Sequence, residues 1–307
     1  MRIKGEQPLK SNWMKALIIA GLSLVLATGC SSGDVVKIGH QPTSEQTILA
    51  HMLQQVIQGN SDLKAELVGG LGATPVVLKA MQNNDIQISA VRYVGTDLTS
   101  SLGLEEFSKD PQEAFELVKN GVAEKFDELW FPSYGFDNTY VFTIRQELAD
   151  KHNLKTISDL APIAKDLSLG TDSSWLERPN DGYQAFKQDY GIAFGKTTPM
   201  DIGLVYKAVD SGEVDIVLAY STDSRLKEYG LATLEDDKHF FPPYGASPVV
   251  RKDTLKQYPQ LEEVINKLTG KIDTKTMTAL NYKADIEKKD PAEIAREFLL
   301  EQGLIQK

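Results

Sequence analysis

A strand–helix alternation that runs, stops near residue 137 and then starts again does most to limit what this 307-residue chain can become. Short apolar or β-branched runs at 35–39, 63–67 and 86–90 are separated by segments of helical period. Ile48, Leu49, Met52, Leu53, Val56 and Ile57 fall on one helical face, which Thr43 or Ser44 can cap and Gly59 ends. Residues 74–83 form a second helix. Strands joined through helices run parallel, so this order predicts a mainly parallel sheet covered on both faces. Helical pattern returns at 111–126, and a strand follows at 140–144. The alternation then restarts: a short helix at 157–163, a strand at 167–170, a turn-rich loop at 175–182, and helices near 183–190 and 200–210. The run Val214, Ile216, Val217, Leu218 reads as a buried strand ending at Ala219-Tyr220-Ser221-Thr222-Asp223, and Val249-Val250 begins another.

After Val250 the pattern is mostly helical, at 255–258, 261–268, 274–281 and 292–302. That block has too few strands for a domain of its own, so it is expected to return to the first sheet. The result is an α/β chain with the two-domain periplasmic-binding-protein fold, type II-like, and an interdomain cleft. Domain I is expected to hold 35–137 plus 245–307 and domain II 138–244, with crossings near Asp137-Asn138 and Tyr244-Gly245. A cleft between domains is a preferred ligand location, and closure about its hinges is a standard response to binding.

The N-terminus reads as an export signal over residues 1–29. Arg2, Lys4, Lys10 and Lys15 form a basic region ahead of the apolar run 16–28, which is shorter than the roughly 20 residues a bilayer span needs. The run ends in Leu26-Ala27-Thr28-Gly29-Cys30, which resembles a bacterial lipobox with Cys30 as the lipidated residue, and 30–34 reads as a tether. Cys30 is the only cysteine, so no intramolecular disulfide can form. The formal net charge of −10 argues against nucleic acid as a partner, since phosphate backbones reward basic patches.

Catalytic and metal motifs are weak. Gly-x-Ser-x-Gly and His-Glu-x-x-His are both missing, and His40, His51, His152 and His239 lack ligand spacing, as solvated or capping histidines would. Gly69-Gly70-Leu71-Gly72-Ala73-Thr74 departs from the dinucleotide fingerprint and reads as a tight turn; 191–197 falls one spacer short of a phosphate-binding loop. Asp236-Asp237 reads as a solvated loop. No cofactor is expected.

What accumulates instead is aromatic. Tyr93, Tyr140, Tyr220 and Tyr244 fall at strand ends or crossings, and Pro242-Pro243 stiffen the approach to Tyr244. In an open α/β sheet, ligands lie beyond the carboxyl ends of strands. Each position is also compatible with an ordinary half-buried tyrosine. Together they suit a quaternary ammonium, which has no N–H to donate and must be held by ring faces, at roughly 0.5–2 kcal/mol each when desolvated. Four faces and one ionic contact would reach about −8 kcal/mol, or micromolar affinity. Arg178 offers a planar fork for a carboxylate, or is a surface arginine capping its loop; Gln41 and Thr96 add neutral polar contacts.

Five segments carry a resemblance: Tyr93-Val94-Gly95-Thr96, Gly135-Phe136-Asp137-Asn138-Thr139-Tyr140, Leu176-Glu177-Arg178-Pro179, Ala219-Tyr220-Ser221-Thr222-Asp223 and His239-Phe240-Phe241-Pro242-Pro243-Tyr244. Through them the chain, from Val35 to its C-terminal end, resembles the glycine betaine/carnitine/choline-binding lipoproteins of osmoprotectant ABC importers. The resemblance implies a cage of Tyr93, Tyr140, Tyr220 and Tyr244, Arg178 on the solute carboxylate, and further contacts from Gln41 and Thr96. It also implies an ABC permease and its ATPase as partners, and a lipid anchor at Cys30 on the extracytoplasmic face of the cell membrane. One departure is Val91-Arg92, where that family commonly carries Pro-Glu. Two other readings stay open: a receptor of the same fold for another small solute such as an amino acid, and an enzyme using Glu177 or Asp223 as general acid/base.

Overall fold

The structure is a computed structural model and describes residues 35–178 and 180–306. The expected export signal, Cys30 and the tether lie outside the described residues. Among the described residues, ten strands form two five-stranded sheets. The first has the order β2-β1-β3-β10-β4, from β1 (Val35–Gly39), β2 (Lys64–Val68), β3 (Ile88–Tyr93), β4 (Glu128–Trp130) and β10 (Ala246–Arg251). The second has the order β7-β6-β8-β5-β9, from β5 (Tyr140–Arg145), β6 (Ser168–Thr171), β7 (Lys196–Pro199), β8 (Ile216–Tyr220) and β9 (Leu231–Leu234). The polypeptide passes between sheets twice, in 131–139 and 235–245. This is the two-domain α/β architecture expected.

The sheets are mixed, which corrects the expectation of a mainly parallel one. β1 is parallel to β2 and β3, but β10 runs antiparallel to both β3 and β4; β5 runs antiparallel to β8 and β9. The strand that follows each crossing, β5 or β10, runs against its neighbours, which periodicity cannot report. Three strands went unread: β4, β7 and β9, each of three or four residues at a sheet edge. Pro199 ends β7, as befits an edge strand.

The expected helix at 200–210 also starts late. Pro199 precedes it, the Asp201 carboxylate accepts the Gly203 N–H at 2.7 Å in a local turn, and the helix covers only Val205–Asp210. Conversely, the supposed loop at 175–182 overlaps a short helix, Ser173–Glu177, capped by Asp172. Residues 157–163 supply only a 3₁₀ turn, Ser158–Leu160.

Helix α1 (Ser44–Asn60) follows the sequence closely. Thr43 caps it, and its apolar face packs with the C-terminal helices on one face of the first sheet. Helices α2 (Thr74–Gln82), α3 (Val94–Thr96, a single turn) and α4 (Pro111–Lys125) follow in order, and α2 and α4 pack on the other face. In β8, Ile216 and Leu218 point into one core while Val217 and Ala219 point into another. Burial on both faces explains why the run is continuously apolar.

The departure at Val91-Arg92 has a structural account. Arg92 is 2% exposed and points to the face opposite Tyr93. Its guanidinium donates to Asp97, with Nε at 3.0 Å from Oδ2, pairs with Glu128, and lies over the Trp130 ring with Cζ 5.5 Å from the centroid. The Arg92–Asp97 pair closes the two ends of the turn containing Tyr93 and Thr96. Breaking such a pair strands buried charge, at about 3–5 kcal/mol. Arg92→Met should therefore destabilise the fold by about that much in a urea titration. A loss under about 1 kcal/mol would show the carboxylates to be solvated.

Candidate functional site

The two crossing segments pair with each other. Asp137 and Gly245 form an antiparallel bridge, the Asn138 N–H donates to the Tyr244 carbonyl at 3.2 Å, and the Asp137 carboxylate accepts the Tyr244 N–H at 2.8 Å. This pairing sets Tyr244 beside Tyr140, which begins β5. Tyr140 lies opposite Tyr220 in the β5–β8 register, so those rings stand together on one face. Tyr140 is 5.2 Å from Tyr220 and 5.7 Å from Tyr244 between centroids, the latter edge-on. The Tyr206 hydroxyl accepts the Tyr220 N–H at 3.1 Å and fixes the end of β8.

Tyr93 arrives from the first sheet. The turn after it packs against the second crossing: the Gly95 N–H donates to the Pro243 carbonyl at 2.9 Å. A Cβ on Gly95 would stand 2.5 Å from the Pro242 ring, so a side chain there would push Tyr93 and Thr96 away from Tyr244.

All seven sequence-derived candidates, Gln41, Tyr93, Thr96, Tyr140, Arg178, Tyr220 and Tyr244, line one cavity of about 560 Å³. Arg178 is not a surface arginine; it is 8% exposed. Its Nε donates to Asp181 Oδ1 at 2.8 Å and Nη2 also pairs with Asp181, while Nη1 reaches the Tyr140 hydroxyl at 3.4 Å. Nη2 contacts Thr99 Oγ1 at 3.2 Å, and the Tyr244 hydroxyl donates to Asp181 Oδ2 at 2.7 Å. Gly182 makes this loop possible, because a Cβ there would lie 2.2 Å from the Arg178 carbonyl.

Sequence reasoning missed several lining residues: Glu45, Asn138, Asp172, Thr222 and Asn281. Asp181 was missed as well, although it fixes Arg178. Each is a polar residue in a helix turn or loop, where capping is the ordinary explanation. Asp172 does cap, accepting the Trp175 N–H at 2.9 Å, but its Oδ2 is buried without a partner among the described residues. Burial raises the Tyr140, Tyr220 and Tyr244 phenols above their ordinary range, which keeps them neutral. The cavity is thus aromatic and acid-lined, with two guanidiniums, Arg178 and Arg225, each already matched by a carboxylate. Such a lining suits a cation.

Other expected features resolve as ordinary structure. Asp236 is not a bare solvated acid: it accepts from the Tyr190 hydroxyl at 2.5 Å and from the Phe240 and Phe241 N–H groups, both at 2.9 Å. His40 is buried rather than solvated, with Nδ1 2.8 Å from the Gln41 carbonyl.

Two α/β sheets flanking an aromatic cavity at paired chain crossings define a two-domain solute-binding protein of the periplasmic-binding class. The chain belongs to the family described as the substrate-binding domain of ABC-type glycine betaine transport systems, whose profile matches residues 34–301. It is 46% identical over 299 residues to the carnitine transport binding protein OpuCC of Listeria monocytogenes, covering 93% of this chain and 97% of that one. It is 31% identical over 300 residues to a glycine-betaine-binding protein of Pseudomonas aeruginosa, covering 94% of each. A crystal structure described as a glycine betaine/carnitine/choline ABC transporter superposes with a TM-score of 0.75 at 48% identity, over 88% of this chain and all of the other. Proteins of this family are the extracytoplasmic substrate-binding components that serve an ABC permease.

Asp137 provides a test of the crossing geometry. Burial pushes its carboxyl up to about 6 from 3.8, against the hydrogen bond from Tyr244. A carboxyl raised on folding favours the folded state below its unfolded value, and that contribution is lost as pH rises through about 6. Asp137→Asn, which keeps an acceptor, should exceed wild type in stability at about pH 8 by up to about 2 kcal/mol, and the gap should close toward about pH 4. Denaturant titrations across that window give the answer; a gap independent of pH would mean Asp137 is solvated.

Proposed function

We propose that this protein captures quaternary ammonium osmoprotectants, glycine betaine and carnitine foremost and choline as a further solute, in a cage formed by Tyr93, Tyr140, Tyr220 and Tyr244, for delivery to an ABC permease and its ATPase. The observation that carries this reading is the convergence of four neutral tyrosines from both sheets and a crossing on one acid-lined cavity. A trimethylammonium group gains from ring faces and from the nearby Asp172 charge, and needs no acceptor of its own. Arg178 takes the solute carboxylate through Nη1, because Nε and Nη2 are committed to Asp181. Thr96 is neutral, so it does not repel that carboxylate; Gln41 adds a polar contact. The relatives named for carnitine and glycine betaine support this substrate class.

The lobes are 35–137 plus 245–307 and 138–244, and they hinge where the crossings pair. The protein binds without turnover: Glu177 is exposed, and Asp223 is committed to Arg225, with Nε 2.8 Å from Oδ1. Residues 1–29 are removed on export, Cys30 is lipidated and 30–34 tether the protein to the membrane. Cys30→Ala should move the protein from the membrane to the soluble fraction; retention in the membrane would remove the anchor from this account.

Titration of glycine betaine, carnitine, choline and amino acids, followed by intrinsic fluorescence, tests the cage. Micromolar affinity is expected for the first two, with a loss of roughly tenfold or more in Tyr220→Ala. Arg178→Lys should weaken glycine betaine and carnitine more than choline. Undiminished betaine binding by Tyr220→Ala would end the cage, and preference for an amino acid would reassign the receptor.

A further inference from the structure

Glu45 occupies the first turn of α1, where an acid ordinarily faces water and favours the helix dipole. Here it is 5% exposed, and both oxygens are used twice. Oε1 accepts from the Tyr93 hydroxyl and from Asn138 Nδ2, each at 2.7 Å. Oε2 accepts from the Thr222 hydroxyl at 2.6 Å and from Asn281 Nδ2 at 3.1 Å. Asn281 also donates to the Thr222 carbonyl at 3.1 Å.

These four donors come from four places: the end of β3, the first crossing, the loop after β8, and the helix Thr274–Asp285. Capping requires none of them, since the Thr43 hydroxyl already accepts the Gln46 N–H. Burial raises the Glu45 carboxyl above its ordinary range, and the four hydrogen bonds, which favour the carboxylate, offset only part of that rise. A buried acid whose two oxygens accept four hydrogen bonds makes each missing donor costly, and Thr222 is the donor that comes from the loop after β8 of the second sheet.

We propose that Glu45 is a positioning residue for solute capture, which holds the Tyr93 ring at the cavity wall through one oxygen and latches the Thr222 loop of the second sheet to the first through the other. The coupling to solute is short. Tyr220 and Thr222 share one turn, in which the Asp223 N–H donates to the Tyr220 carbonyl at 3.1 Å. A solute that draws Tyr220 onto its cationic face seats Thr222 on Glu45. A phenol that donates a hydrogen bond also presents a more electron-rich ring, so the Tyr93 hydroxyl bond to Glu45 strengthens Tyr93 as a cation partner. The solute half of this inference rests on the cage reading given above, whereas the latch itself does not.

Thr222→Val removes one hydroxyl and leaves both the cage and Glu45 in place; Thr222→Ser keeps the hydroxyl and serves as the rescue. Stopped-flow fluorescence of the full chain with glycine betaine should give a dissociation rate raised roughly tenfold in Thr222→Val, with association within about twofold and Thr222→Ser as wild type. Glu45→Gln, which puts an amide before four donors, should lose at least roughly tenfold in affinity. A second readout needs no solute. Spin labels at Val76 and Leu204, both exposed and beside cavity-lining turns, report the cleft distance in a Cys30→Ser background. Thr222→Val should enrich longer distances. Wild-type dissociation together with an unchanged distance distribution in Thr222→Val would overturn the latch. If wild type binds no betaine, the proposed function fails, and the distance distribution alone decides for or against the latch.

Discussion

The antiparallel pairing of the two crossing segments is the constraint on which the cavity depends. Each sheet could close its own core without the other. Where Asp137 pairs with Gly245, and Asn138 donates to Tyr244, the sheets are tied at a point next to their strand ends. Because β5 starts immediately after one crossing and β10 immediately after the other, Tyr140 and Tyr244 are delivered side by side. The mixed sheets arise at the same connection, since the strand after each crossing, β5 or β10, runs antiparallel to its neighbours.

Buried charge is handled in a consistent way around this junction. Arg92 is matched by two acids behind the first sheet, Arg178 by Asp181 at the cavity wall, and Glu45 by four neutral donors at its floor. Each arrangement fixes a tyrosine or the turn that carries it: Arg92–Asp97 spans the Tyr93 turn, Asp181 receives the Tyr244 hydroxyl, and Glu45 receives that of Tyr93. The ring faces are therefore held by polar contacts at their hydroxyl ends. In the cage proposed above, contacts at the hydroxyl ends leave the ring faces free for solute, and holding Tyr93 and Tyr244 in this way limits the entropy lost on binding.

Much of the site was readable because its aromatic members obey a positional rule. Tyr220 ends an apolar run, Tyr93 follows another, and Tyr244 follows two prolines, so each could be placed by local pattern alone. Arg178 was readable by type but not by state, since nothing near it in sequence distinguishes a surface guanidinium from one buried against Asp181 three residues on. The short edge strands escaped because three or four residues carry too little period to register. Glu45, Asn138, Thr222 and Asn281 escaped for a different reason: their nearest functional partners are up to 236 residues away.

What the amino-acid order determined on its own was local: the longer strands, the first helix and its apolar face, where the alternation restarts, and which aromatic residues stand at strand ends. Those properties depend on neighbours within a few positions, through backbone sterics and the burial of apolar faces. The direction in which strands rejoin a sheet, the pairing of the crossings, and the four-way hydrogen bonding of one carboxylate were decided only by the packed molecule. They involve groups that become neighbours when water is excluded between distant segments, and a buried charge selects its donors only then.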